Sequence, residues 1–448
     1  MQEPESIRAY LQAVEDQIRW KRARPVLTRE LARHLEDQRD AFIADGAQPE
    51  DAERHAVEDM GDPVALGAEL DRVHRPRPQW GLLALTLALA LAGAFLRVSL
   101  TAGWIDGIRG DRTLLAMILG TAALLGMYFL DISRLARRPR MIYLALLAAG
   151  IVSWYISPTF NAVPYYTRYI ILTYPVAYAL WLYSCWEKGW TGFLLAILGG
   201  VPPALIAAMT PYLMGLLLFL FTGLTLLLYA VWQNWFGVPR RAAAGCILAL
   251  LLSVTGILAY LVAQGFGASR LENALHPELD PLGRGYQGVQ IHRVLEASRW
   301  VGEGDLGPGV SFERFLPEAA YDMIPTTLIY HLGWMPYILL TALTLGLSAW
   351  LLLRGLRQKH RLGRLTVLAA SLTLALQCLS SILLNTGFVL FSASYPLLSG
   401  NLHAITDMAL IGLSLSVFRG DTIAREESAE PAPRLRRIKR IRLKIEYD

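Results

Sequence analysis

The sequence predicts an all-α, polytopic membrane protein, with about ten transmembrane helices behind a small N-terminal helical bundle. Three observations carry this. Of 448 residues, 54% are hydrophobic and 18% charged, with a mean hydropathy of +0.37, a balance that suits a membrane protein rather than a soluble enzyme. Apolar runs near or above the ~17–20 residues that cross a bilayer recur along the chain. Basic residues concentrate in alternate loops between those runs.

The elements follow in order. Residues 1–76 are charged and read as a helical bundle. Ile7, Tyr10, Leu11, Val14 and Ile18 recur at helical spacing. Thr28 is placed to cap a second helix carrying Leu31, Leu35 and Phe42, which Gly46 stops. Pro49-Glu50-Asp51-Ala52 starts a third helix and Asp62-Pro63 a fourth. His34, His55 and His74 lack metal-ligand spacing, so no catalytic constellation is expected here. A Pro/Arg linker leads to the first apolar run.

Ten runs span about 80–98, 113–131, 141–158, 169–186, 190–209, 213–234, 242–264, 323–353, 365–391 and 397–418. The eighth is long enough to tilt or to stand proud of the membrane. Cys185, Cys246 and Cys378 all fall in apolar runs, which argues against a disulfide framework. The basic stretches at Arg134–Arg140, Arg240-Arg241 and Arg354–Arg364, with the tail at 421–448, put both termini in the cytoplasm. The net charge of +5 follows from that topology and does not call for nucleic acid. The tail's Arg and Lys cluster suits either contact with anionic membrane lipid or a simple topological anchor.

Residues 265–322 then form a long polar insert on the outer side. Its glycines mark loop structure, without the strand-to-helix context of a phosphate-binding loop. Tyr286, Gln287 and Gln290 are polar groups suited to a sugar or to loop packing. Asp322 closes the insert at the lip of the eighth run. Two roles fit such a carboxylate: general base for a lipid-linked substrate, or helix N-cap. His403 and Asp407, four residues apart, share one face of the last run. Ionisable groups inside a membrane are functional candidates, and a mutual hydrogen bond is the plainer alternative.

Two resemblances add to this reading. The motifs Glu30-Leu31-Ala32-Arg33-His34-Leu35-Glu36-Asp37 and Met60-Gly61-Asp62-Pro63-Val64-Ala65-Leu66-Gly67 resemble the bacterial permease-prefix, or HAAS, domain. That implies a cytoplasmic regulatory role and a regulatory partner for residues 1–76. In the membrane part, Asp280-Pro281, Gly285-Tyr286-Gln287, Gln290, Gly302, Gly304, Leu316-Pro317-Glu318, Asp322 and Leu332-Gly333 resemble the outer loop of the SEDS proteins, the FtsW/RodA/SpoVE family. Asn385 with Gly387, and the run from Ala409 to Ser416, resemble that family's last two helices.

This second resemblance implies an inverting peptidoglycan glycosyltransferase that polymerises lipid II during cell division, cell shape maintenance or sporulation. It implies residues 77–420 as the catalytic membrane domain, a class B penicillin-binding protein as partner, and Asp322 as catalytic base. Tyr286, Gln287, Gln290, Glu318 and Arg284 are the substrate-binding candidates. Arg284, Arg293, Arg299 and Arg314, or a divalent cation, would stabilise the departing diphosphate.

Some family motifs are missing. An Arg-Trp-Ile loop is not evident in residues 158–168, paired glutamates are replaced by Tyr330-His331, and the late Pro-Phe-x-Ser-x-Gly-Gly stretch reads Pro396-Leu397-Leu398-Ser399-Gly400-Asn401. Two other classes therefore stand beside the enzyme. A non-catalytic scaffold or sensor would fit the lost motifs, and a transporter of lipid-linked precursors would use Gln377, Asn385, His403 and Asp407.

Overall fold

The computed structural model describes residues 5–20, 23–74, 79–101, 110–130, 132–160, 163–263, 266–310, 312–316, 322–358, 360–398 and 402–420. The chain forms two compact units. One lies within residues 1–77 and the other within 78–419.

The first unit contains α1 (Glu5–Gln17), α2 (Arg24–Ala44), α3 (Pro49–Asp59) and α4 (Pro63–His74). Ile7, Tyr10, Leu11, Val14 and Ile18 are all buried, and with Leu27, Leu35 and Ala56 they form its core. The α-helical period puts them on one stripe, and burying that stripe drives the packing. Asp62 accepts from the N–H groups of Val64 (3.2 Å) and Ala65 (3.1 Å) and so caps α4, a contribution of about 1 kcal/mol. Thr28 does not cap α2. The helix begins a turn earlier, at Arg24-Pro25, and the Thr28 hydroxyl donates back to the Arg24 carbonyl. Proline favours the first turn, where its missing N–H has no partner to lose.

The second unit begins with α5 (Trp80–Thr101), α6 (Gly110–Phe129), α7 (Ile132–Arg137) and α8 (Pro139–Ile156). A two-residue hairpin follows, β1 (Thr159–Phe160) antiparallel to β2 (Val163–Pro164), with Phe160 opposite Val163. Next come α9 (Thr167–Ile171), α10 (Tyr174–Ser184), α11 (Gly189–Leu198), α12 (Val201–Met209), α13 (Leu213–Trp232) and α14 (Arg240–Ala263). The polar insert forms α15 (Phe266–Leu275), a 3-10 turn, α16 (Tyr286–Ala297) and α17 (Phe312–Phe315). The chain then runs through α18 (Ile324–Leu332), α19 (Trp334–Leu356), α20 (Arg361–Asn385) and α21 (Leu402–Gly420).

Among the described residues, six helices are long and apolar enough to cross a membrane: Trp80–Ser99, Pro139–Ile156, Gly189–Met209, Leu213–Trp232, Trp334–Leu356 and Arg361–Asn385, with a shorter apolar helix at Thr113–Phe129. The protein is thus a multi-pass membrane protein, and the expected runs are helical but not all continuous. The fourth run is split between α9 and α10. The eighth, expected as one long helix, breaks at Gly333, whose φ of +95° suits a residue without a Cβ. In the tenth, α21 covers Leu402–Gly420 and the described residues 391–398 before it are irregular.

Burial is partly inverted relative to a soluble protein. Phe95, Ile118, Tyr155, Trp232 and Leu353 are exposed to the surroundings, whereas α20 buries Thr373, Gln377, Ser380, Ser381 and Asn385. Backbone groups are satisfied within helices, so large apolar side chains can face lipid while polar ones meet between helices. Helix α20 packs on α10, α13 and α19 and is the centre of the array. The site is built around its C-terminal end.

Candidate active site

Asp322 stands two residues before the start of α18 and is 9% exposed. It does not cap the helix. The N-cap position is Met323, with no side-chain capping bond. The carboxylate is instead taken up by the 391–398 segment. Ser394 Oγ donates to Oδ1 at 2.8 Å, and Ser392 Oγ makes a short hydrogen bond to Oδ2. Asn385, at the end of α20, fixes the Asp322 backbone: its Nδ2 donates to the Asp322 carbonyl (3.2 Å) and to the Ser381 carbonyl (2.8 Å). Asn385 Oδ1 accepts from the N–H (3.1 Å) and hydroxyl (2.7 Å) of Thr326 in α18. Both termini of the Asn385 amide are therefore satisfied within a buried site, where an unmade bond costs about 1–3 kcal/mol.

Arg168 brings the opposite charge. The hairpin leads the chain into α9, where Arg168 Nη2 donates to the Tyr169 hydroxyl at 2.7 Å. The guanidinium lies 4.9 Å from the ring centroids of both Tyr165 and Tyr169, in cation–π range. Asp322 and the buried Tyr212 lie within electrostatic range of it. Arg168 Nε has no hydrogen-bond partner among the described residues.

Asp407 and His403 do not bond to each other. Asp407 is wholly buried and accepts from Gln377 Nε2 and from the Leu397 N–H, each at 3.2 Å. His403 sits edge-on to Tyr169 at 4.6 Å, with Nε2 unpartnered among the described residues.

The insert reaches the site through α16. Ile291 and Val294 pack with Met323, and the His292 ring nitrogen Nε2 lies 3.2 Å from the Thr386 carbonyl. Gln290 is 8% exposed, and its Oε1 has no hydrogen-bond partner among the described residues. Tyr286 and Gln287 are half-buried on the first turn of α16, and no hydrogen bond among the described residues ties them to Asp322. Arg284 hydrogen-bonds Ser269 through Nη1 and the Asp280 carboxylate through its backbone N–H, so the structure gives it a loop-packing role. Arg293 and Arg299 are exposed. Glu318 and the Arg314 side chain lie outside the described residues. Tyr330 stacks on Phe312 (4.7 Å), and His331 Nδ1 meets Glu303 at 3.1 Å. Among the described residues no three His, Cys, Asp or Glu side chains converge to hold a metal. The described side chains that bond the Asp322 carboxylate are two serines.

Sequence reasoning missed Arg168, Ser392 and Ser394. The available signal was polarity out of place: two serines and an arginine beside strongly apolar runs.

The fold and this buried polar cluster define a multi-pass α-helical membrane protein with a carboxylate–arginine site at one end of its helix array. The sequence profile of the cell cycle proteins FtsW, RodA and SpoVE matches residues 112–419, and the chain belongs to that family. A probable peptidoglycan glycosyltransferase FtsW from Xanthomonas oryzae pv. oryzae is 29% identical over 146 residues, 32% of this chain and 30% of that protein. The FtsW of Trichlorobacter lovleyi is 27% identical over 190 residues, 41% of this chain and 49% of the relative. The matched part thus spans half or less of these relatives. Among solved structures, a chain of a peptidoglycan synthase complex superposes with a TM-score of 0.59 at 20% identity, covering 77% of this chain and 98% of that one. The rod-shape-determining protein RodA of Thermus thermophilus gives 0.53 at 18% identity, covering 77% and 97%.

Proposed function

We propose that this protein is a peptidoglycan glycosyltransferase that polymerises lipid II at the outer face of the cytoplasmic membrane, with Asp322 as catalytic base. The observation that carries the reading is the geometry of Asp322: a buried carboxylate held by Ser392 and Ser394 and spent on no helix cap. Each carboxylate oxygen has a lone pair beyond the one the serine occupies. In the reaction the acceptor sugar hydroxyl attacks the anomeric carbon of the donor. Its proton passes to Asp322, and the bond to the lipid diphosphate breaks with the electron pair leaving on phosphate oxygen. Arg168 supplies positive charge to that leaving group.

The names of the relatives support this substrate class. The likeness to a chain of a peptidoglycan synthase complex supports a partner in the membrane, which we assign to the class B penicillin-binding proteins. Residues 1–76 act as a cytoplasmic regulatory domain of HAAS type, with both termini in the cytoplasm. The test is polymerisation of purified lipid II by the full chain in nanodiscs, alone and with a class B penicillin-binding protein. Glycan strands that require Asp322 support the reading. An inert wild-type protein with every partner tried overturns it.

A further inference from the structure

Leu397 has a left-handed backbone, φ +64°, although it carries a branched side chain and is almost completely buried. Such a conformation persists only where its surroundings over-determine it, and it clusters at working sites. Three helices hold this turn. The Leu397 N–H donates to Asp407 Oδ2 of α21 at 3.2 Å. The other Asp407 oxygen accepts from Gln377 of α20. Gly93 of α5 lies against the turn so closely that a Cβ there would sit 2.7 Å from Leu398 Cα and 2.9 Å from the Leu397 carbonyl oxygen.

The strained turn ends the segment that supplies Ser392 and Ser394 to Asp322. At the segment's other end stands Asn385, which binds the Asp322 carbonyl. Both ends are thus anchored by buried polar side chains, and the two hydroxyls lie between the anchors. A wholly buried carboxylate inside a membrane protein is a costly way to stabilise a fold. Its two bonds are both spent on geometry.

We propose that Asp407 is a positioning residue. It holds Leu397 in the left-handed turn and through it sets Ser392 and Ser394 against Asp322. The inference rests on Asp322 being the base proposed above.

The test is a double-mutant cycle on the full chain. Asp407→Ala removes the clamp. Leu397→Gly removes the Cβ penalty, so a glycine turn stands without a clamp. Asp407→Ala is expected to lower kcat for lipid II polymerisation about 10–100-fold with KM changed less than about threefold, as misplacement rather than lost binding predicts. Adding Leu397→Gly is expected to recover about tenfold, a gain confined to the Asp407→Ala background. Hydrogen exchange of residues 386–398 provides a readout independent of turnover: faster in Asp407→Ala and restored in the double variant. If Asp407→Ala does not fold, Asp407→Asn, which keeps one acceptor oxygen, takes its place in the cycle. Wild-type kcat in the clamp variant, no rescue by glycine, or unchanged exchange at 386–398 each overturns the proposal. Restored exchange protection in a protein whose wild type does not polymerise supports the clamp and removes the base reading instead.

Discussion

Ser394 donates a 2.8 Å hydrogen bond to Oδ1 of Asp322, linking residues 72 positions apart. That bond turns a residue at a helix entrance into the centre of a site, because it draws the carboxylate toward the 391–398 segment and away from the helix N-terminus. Removing Ser394 with alanine leaves the carboxylate present but less well oriented. Asp322→Asn removes the basic oxygen and is expected to cost ~100–10,000-fold in polymerisation rate. Ser394→Ala is expected to cost about tenfold or less, the loss of one orienting bond. Rates on lipid II, with melting temperatures measured in parallel, check both. An Asp322→Asn protein that folds and turns over normally would falsify the base assignment.

Arg168 is expected to matter through its charge and its planar fork together. Arg168→Gln should lower the rate by ~100–1,000-fold, the scale of a lost preorganised donor. Arg168→Lys should fall between glutamine and wild type, since lysine keeps the charge but neither the fork nor the stacking on Tyr165 and Tyr169. Equal rates for the lysine and glutamine variants would contradict a role for charge.

Two changes should damage the frame of the site. Asn385→Ala strands the Thr326 N–H and the Asp322 carbonyl in a buried place, a loss of about 1–3 kcal/mol. Gly333→Ala forces a side chain into a backbone at φ +95°, with its Cβ 2.6 Å from the Trp300 carbonyl oxygen, a loss of roughly 1–3 kcal/mol. Thermal unfolding in detergent measures both, and unshifted midpoints would refute the packing argument.

Orientation is tested by labelling single cysteines after replacing the exposed Cys246. Pro308→Cys, in the insert, should react with an impermeant maleimide on intact cells. Arg357→Cys, exposed after α19, should react only once the membrane is opened. The reverse pattern inverts the topology.

A chain beginning at Gln79 should insert and keep its polymerase rate while losing regulation. The first unit has its own core around Val14, Ile18 and Leu35. Loss of turnover in a folded, truncated protein would make residues 1–76 part of the catalytic machine.

The sequence by itself determined the elements whose causes are local. Helical spacing picked out Ile7, Tyr10, Leu11, Val14 and Ile18, and all five are buried. Asp62-Pro63 marked a helix start, and Asp62 caps it. Apolar length marked the membrane helices, because a bilayer imposes that length on any chain that crosses it. Asp322 was legible as a polar residue at a membrane lip. Only the tertiary structure decided what Asp322 touches. Asn385, Ser392 and Ser394 reach it from 63 to 72 residues away in the chain. No local pattern encodes such distances. Gly333 belongs to the Leu332-Gly333 pair, yet its break of the eighth helix follows from the Trp300 backbone packed against it. Asp407 and His403 shared a face on paper. In the folded chain Gln377 and the Leu397 N–H satisfy Asp407 from α20 and the 391–398 segment, since a buried carboxylate binds the donors that neighbouring elements deliver rather than the nearest residue on its own helix.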